Sequence, residues 1–173
     1  MDVKKLQDAI RDVPDFPKEG ILFRDITTLL MKPDLLKKTV DLLADPYRGT
    51  GVRKIVGIES RGFIFGTAIA YALDAGFIPV RKPGKLPAEI LREEYELEYG
   101  TDAVEIHRDA IAPGEKVAVV DDLLATGGTM AATLKLLGKL NAEVAGVSFL
   151  VELGFLKGRE KLDGYDIHTL ITY

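Results

Sequence analysis

The chain has 173 residues, 47% apolar and 29% charged, which is enough for one domain with a real hydrophobic core. It contains no cysteine, which excludes disulfides, thiolate metal sites and a cysteine nucleophile. A net charge of −4, with an isoelectric point near 5.3, argues against a general nucleic-acid binder, which needs a positive field along the phosphate backbone.

The opening "MDVKKLQDAIRDVPDFP" lacks the apolar core and small-residue cleavage site of a signal peptide, and no apolar run approaches bilayer-spanning length. A cytoplasmic protein without membrane contact is expected. Residues 2 to 11 have helical spacing, with Val3, Leu6 and Ile10 on one face. "DVPDFPKEG" breaks that helix, and "PDLLKKTVDLLA" reads as a second one with Pro33 at its start. From residue 52 buried-strand runs alternate with helical ones. "VRKIVGI", "FIPV", "KVAVV" and "EVAGVSFLVEL" read as strands, "GFIFGTAIAYALDAG" and "TMAATLKLLGKL" as helices. This predicts an α/β fold with a mainly parallel sheet flanked by helices and all strand ends of one polarity on one edge. Residues 82 to 110 fit neither period well. Tyr95, Leu97 and Tyr99 alternate with Glu94, Glu96 and Glu98, which suggests a hairpin turning at Gly100–Thr101. So long and charged an insertion reads as a lid. No repeat, low-complexity tract or interdomain linker is evident.

Three features fall at strand ends, where ligands gather in open α/β sheets. In "VAVVDDLLATGGTM" the acids Asp121 and Asp122 are expected to leave the strand just before a turn at a helix N-terminus. The N–H groups of Ala125, Thr126, Gly127, Gly128 and Thr129 there favour a phosphate, with the Thr126 and Thr129 hydroxyls as further donors. Carboxylates repel a phosphate but accept hydrogen bonds from vicinal sugar hydroxyls, so a ribose 5-phosphate satisfies both halves. In "IVGIESRGFIFG" the turn Glu59-Ser60-Arg61-Gly62 offers N–H groups and a guanidinium suited to bidentate phosphate contact. In "VRKPGKLP" Arg81, Lys82 and Lys85 form a basic cluster in an acidic protein. Two familiar motifs are absent: "GTG" at residues 49 to 51 precedes a strand, and "ATGGT" lacks the P-loop lysine. His107 and His168 lack a partner at metal-ligand spacing and read as structural.

In this order along residues 13 to 162, "VPDFPKEGILFRDI", "ESRGFIFG", "RKPGKLP", "LEYG", "VVDDLLATGGTM" and "LVELGFLKGREKL" resemble the adenine phosphoribosyltransferases, a branch of the type I phosphoribosyltransferase family. "VVDDLLATGGT" marks the broad superfamily, and "RKPGKLP" with "LEYG" narrows it to the adenine branch. The resemblance implies one domain over residues 1–173, with a small N-terminal hood over about 1–35, a core over about 36–173 and a flexible lid over about 82–110. It implies purine salvage: adenine and 5-phosphoribosyl 1-diphosphate give AMP and diphosphate, with Mg²⁺ as cofactor.

It also implies roles for residues. Residues 125 to 129 would cradle the 5-phosphate, and Asp121 and Asp122 would bind the ribose hydroxyls. Arg61, with Glu59 and Ser60 in its turn, would hold the diphosphate, aided by Arg81, Lys82 and Lys85. Phe23 would stack on adenine, Leu153 would cover its other face, and the backbone at Leu22 and Arg24 would read its edge. Glu98 would act as general acid/base and Tyr99 would close over the site, with Arg61 completing the catalytic set. Mg²⁺ would be carried mainly by the donor and by water instead of by direct protein ligands. A homodimer is implied, and Arg81 is the candidate to reach across it. No nucleic acid is implied as a partner.

Two other readings stay open at this point. A donor-sensing regulator of transcription should carry a basic DNA-binding extension, and residues before the core show none. An enzyme for xanthine, hypoxanthine or guanine must read an oxo group at C6, which no residue pattern displays directly. Glu98 also fits the acidic face of an exposed strand, and Phe23 also fits a plain core position.

Overall fold

The computed structural model describes residues 3–97 and 99–173. The first helix is Val3–Gln7 (α1), shorter than its spacing predicts. Turn-type hydrogen bonds from Ala9 and Ile10 to Leu6 and Gln7 end it, and the chain enters Arg11–Val13 (β1). Leu6, Ala9 and Ile10 are all buried without a longer helix, so packing sets the boundary instead of periodicity. Strand β1 pairs antiparallel with Phe23–Asp25 (β2), and ion pairs of Arg11 with Asp25 and Arg24 with Asp12 clamp the two strands.

Hydrogen bonds from Thr27, and then from Arg11, lower the Asp25 carboxyl from 3.8 to about 2. A lowered acid contributes stability above its ordinary pKa and loses it as pH falls through the lowered value. Asp25→Asn is expected to cost about 0.5–1.5 kcal/mol at neutral pH, allowing for solvent screening. Thermal melts of parent and variant should converge as pH falls from 3.8 to about 2.

A short helix, Thr27–Leu30 (α2), precedes Pro33–Ala44 (α3), which starts on proline as its sequence predicts. Strands Lys54–Ile58 (β3), Gly76–Val80 (β4), Lys116–Leu124 (β7), Glu143–Glu152 (β8) and Ile167–Thr172 (β9) form one parallel sheet in the order β4-β3-β7-β8-β9. Helix Gly62–Ala72 (α4) connects β3 to β4, and Gly128–Lys139 (α5) leads from β7 to β8. Alternate residues of each strand serve opposite layers. Val56, Val117 and Val119 pack with Met130, Leu134 and Leu137 of α5. Ile55, Ala118 and Val120 pack with Phe65 and Ile69 of α4 and Leu43 of α3. Leu6, Ile10, Ile26 and Leu29 join this second layer, so the N-terminal segment shares the core.

The insertion contains an antiparallel hairpin, Ile90–Glu96 (β5) with Thr101–His107 (β6), turning at Gly100 as the alternation predicts. It is not a free flap over its whole length. Val104 and Ile106 are fully buried and share the core with α5, and Arg81 and Glu105 exchange backbone hydrogen bonds. A lid spanning 82–110 would have to expose both side chains, at about 1.5–3 kcal/mol each. Residues 83–89, ahead of β5, are not in regular structure.

Candidate active site

Strand β3 pairs with β7 only as far as Gly57 opposite Val120, whereas β8 follows β7 to Leu124 opposite Glu152. Beyond Val120 that flank of β7 has no strand beside it among the described residues, and a cleft opens. The connections also diverge here, since β3 leads outward through α4 to β4 and β7 leads the other way through α5 to β8. Such a reversal is where open α/β sheets leave a crevice for ligands. The cleft has a volume of about 370 Å³ and is bounded by the 59–61 turn, Lys82, residues 121–123 and Thr129. A hollow of about 90 Å³ over residues 125–130 adjoins it, sharing Asp121, Leu123 and Thr129.

The two acids do not leave the strand, contrary to the expectation from sequence. Pairing with β8 carries β7 through them to Leu124, and the cleft forms because β3 is the shorter neighbour. The Asp121 carboxylate accepts the Asp122 N–H at 2.8 Å. Burial, and then the adjacent Asp122 charge, push the Asp121 carboxyl well above the usual carboxylate range. Asp122 is buried and ion-paired with Arg61. Burial opposes the Arg61 charge, but Asp122 outweighs it and keeps the guanidinium protonated. The same guanidinium lies 5.8 Å from the centre of the Phe23 ring, which links the acids to the N-terminal hairpin.

Glu59 organises the cations. Its carboxylate accepts from Arg81 Nε at 3.0 Å, from the Lys82 N–H at 3.0 Å and from Lys85. Burial works against its charge, but Lys85, the Lys82 N–H and Arg81 together hold it below its ordinary pKa. Only Lys82 of the three basic residues lines the cleft, as do Ser60 and Arg61. Arg81 and Lys85 act on it through Glu59, and the Arg81 guanidinium lies 5.9 Å from the Phe63 ring centre at the start of α4.

Gly127 caps α5 with φ +82°, and among the described residues no side chain bonds to the cap. The N–H groups of the first turn are thus open to an anion, favoured further by the helix dipole. A Cβ on Gly127 would lie 2.5 Å from the Gly158 carbonyl oxygen, so glycine is required both by conformation and by close packing. Gly158 opens a 3₁₀ segment, Gly158–Leu162. Arg159 anchors this segment by hydrogen bonds to both Glu152 carboxylate oxygens, at 2.8 and 2.9 Å, and to Thr169 at 3.0 Å.

The remaining expected residues are gathered unevenly. Half-buried Phe23 packs edge-on against Phe16 with centroids 5.2 Å apart, and the Leu153 N–H bonds to the Leu124 carbonyl beside the end of β7. Arg24 turns its side chain onto Asp12 and the Tyr173 ring, 3.7 Å from its centre, and Leu22 is largely exposed. Neither side chain lines the cleft. Tyr99 is 85% exposed on the hairpin turn, outside the cleft, and Glu98 lies outside the described residues. Sequence reasoning missed Tyr95 and Asp102, which meet Lys82: Tyr95 stood in the alternation that marks the strand, and nothing in sequence pairs Asp102 with Lys82. Ile58 and Leu123 also line the cleft without a sequence cue.

The profile of the phosphoribosyl transferase domain matches residues 26–170. An adenine phosphoribosyltransferase of Acaryochloris marina is 60% identical over 173 residues, covering all of both chains. The chain belongs to the adenine phosphoribosyltransferase family. Among solved structures of this family, that from Thermoanaerobacter pseudethanolicus superposes with a TM-score of 0.95 at 52% identity, covering 99% of each chain. The Saccharomyces cerevisiae adenine phosphoribosyltransferase, solved with an imino-altritol bisphosphate and adenine, gives 0.92 at 44% identity over 97% of each.

Proposed function

We propose that the protein transfers the 5-phosphoribosyl group of 5-phospho-α-D-ribose 1-diphosphate to adenine, giving AMP and diphosphate in purine salvage. The observation that carries this reading is the switch-point cleft itself. An uncapped helix N-terminus, two strand-borne carboxylates and a cationic wall converge there, one for each part of the donor. The adenine bound in the yeast relative supports the choice of base.

In this mechanism residues 125–129 hold the 5-phosphate, Asp121 and Asp122 accept from the ribose hydroxyls, and Arg61, Ser60 and Lys82 hold the diphosphate. Glu59 keeps Arg81 and Lys85 in place behind them. The bond from the sugar C1 to the diphosphate oxygen breaks ahead of the new bond from C1 to adenine N9, and positive charge builds on the ribose. Diphosphate leaves with the electron pair, and Glu98 takes the N9 proton. Closure of the hairpin tip, with Tyr99, excludes water that would hydrolyse the activated sugar.

Among the described residues no group of three or more His, Asp or Glu is placed to hold a metal. Mg²⁺ would therefore be carried mainly by oxygens of the donor and by water, beside Asp121 and Asp122, which accept from the ribose hydroxyls. Bound with the donor, the ion would offset charge on the diphosphate. A homodimer is supported by an apolar face on α3 and α4, where Val40, Ile64, Ala68 and the 91%-exposed Tyr71 line one groove. Arg81 remains the candidate to reach a partner's site, although in the single chain its guanidinium is paired with Glu59. No described helix is long and apolar enough to cross a membrane. A cytoplasmic location fits a reaction whose charged donor does not cross bilayers unaided.

The direct test offers the donor with each purine in turn. Nucleotide should form with adenine and at least about a hundredfold more slowly with hypoxanthine, guanine or xanthine, whose oxo group leaves polar atoms unpaired. Preference for an oxo-purine would overturn the assignment. Phe23→Ala should raise KM for adenine about 5- to 30-fold, the equivalent of about 1–2 kcal/mol and the lower part of the range for stacking on a base because Phe23 already packs on Phe16. KM for the donor should stay close to the parent's. Equal effects on both substrates would make Phe23 a core residue only.

A further inference from the structure

Tyr95 of β5 lies opposite Asp102 of β6. A phenol hydroxyl has one proton and two lone pairs, and this one uses all three. It accepts from Lys82 Nζ at 2.7 Å and from Thr129 Oγ1 at 3.1 Å, and it donates to Asp102 Oδ2 at 3.1 Å. The ring lies against the start of α5, where a Cβ on Gly128 would fall 3.2 Å from it. Lys82 and Thr129 serve opposite ends of the donor in the functional reading above, and both line the cleft.

We propose that Tyr95 is a positioning residue that sets Lys82 and Thr129 in one frame, so that the two anionic ends of the phosphoribosyl donor are recognised together. The proposal rests on that functional reading and adds a coupling to it. Lys82 also pairs with Asp102. Without the phenol oxygen the ammonium would collapse onto this single carboxylate, and Thr129, whose hydroxyl proton is held by Tyr95 and whose backbone N–H is left for the phosphate, would lose its anchor. Each end of the donor would then meet a group that must first be reoriented. Tyr95 need not touch the ligand to have this effect.

Tyr95→Phe removes one oxygen and keeps the ring on Gly128. The full chain would be titrated calorimetrically with ribose 5-phosphate and, separately, with diphosphate and Mg²⁺. Both should bind about tenfold more weakly in the variant, and KM for the donor should rise by a similar factor. KM for adenine should stay within about twofold, a split that a general loss of structure would not give. Weakening at one end only, or at neither, overturns the shared frame. Thr129→Val provides a second test that leaves Tyr95 intact. Beyond its effect on ribose 5-phosphate, it should weaken diphosphate about threefold through Tyr95, and unchanged diphosphate binding contradicts the coupling. A parent protein that binds neither ligand refutes the functional reading itself. A parent that binds both, matched by Tyr95→Phe, refutes only the frame.

Discussion

Replacing Glu98 by glutamine is expected to lower turnover about 10²–10⁴-fold while leaving donor binding nearly unchanged. Glutamine keeps the size and hydrogen-bonding capacity of the side chain but removes the basicity needed to take the adenine proton. In sequence Glu98 falls between Leu97, whose N–H bonds to the Gly100 carbonyl, and Tyr99 on the exposed hairpin turn. Val104 and Ile106 lie in the buried part of the insertion. Hydrogen exchange should therefore show the β6 amides protected in the free enzyme, with the tip gaining protection once both substrates bind. Single-turnover kinetics separates the chemical step from product release. Near-normal turnover in Glu98→Gln would remove this residue from the catalytic set, and an already protected tip would remove the lid.

Asp121→Asn and Asp122→Asn should each weaken donor binding by about 1.5–3 kcal/mol, because a charged acceptor opposite the ribose hydroxyls becomes a neutral amide. Their effects on stability should differ in sign. Burial and the Asp122 charge raise the Asp121 pKa, so ionising Asp121 costs the folded state. That cost appears as pH rises through the ordinary carboxylate value and is complete above the raised one. Asp121→Asn removes it, and its melting temperature should gain on the parent's as pH rises. Asp122→Asn instead removes the ion pair with Arg61 and should melt lower. Unchanged donor affinity in both variants would remove the ribose-hydroxyl assignment.

The fold was largely legible because its strands are continuous β-branched runs and its helices have clear starts. Pro33 opens α3 where expected, and the Gly100 turn was visible in the alternation of Tyr and Glu. The first helix was over-extended, since the pairing of β1 with β2 depends on Asp25 and Arg24, which lie far along the chain. The course of β7 through Asp121 and Asp122 was misjudged for a similar reason: its length is set by β8, not by its own sequence. Within the site, loop residues such as Gly127 announce themselves by type. The Glu59 hub over Arg81, Lys82 and Lys85 was visible only as separate charges, because a carboxylate that orders cations looks in sequence like one more turn residue. The contacts of Tyr95 and Asp102 with Lys82 and Thr129 were not visible, since they join residues far apart in the chain.

A crystal structure of the protein with AMP and diphosphate tests the central claim most directly. The 5-phosphate should lie at the N-terminus of α5 against residues 125–129, with the ribose hydroxyls on Asp121 and Asp122. Diphosphate should sit between Arg61 and Lys82, with the Arg61–Asp122 pair opened to admit the sugar. A nucleotide bound with its phosphate at the Lys82 side, or away from the β3–β7 cleft, would contradict the account.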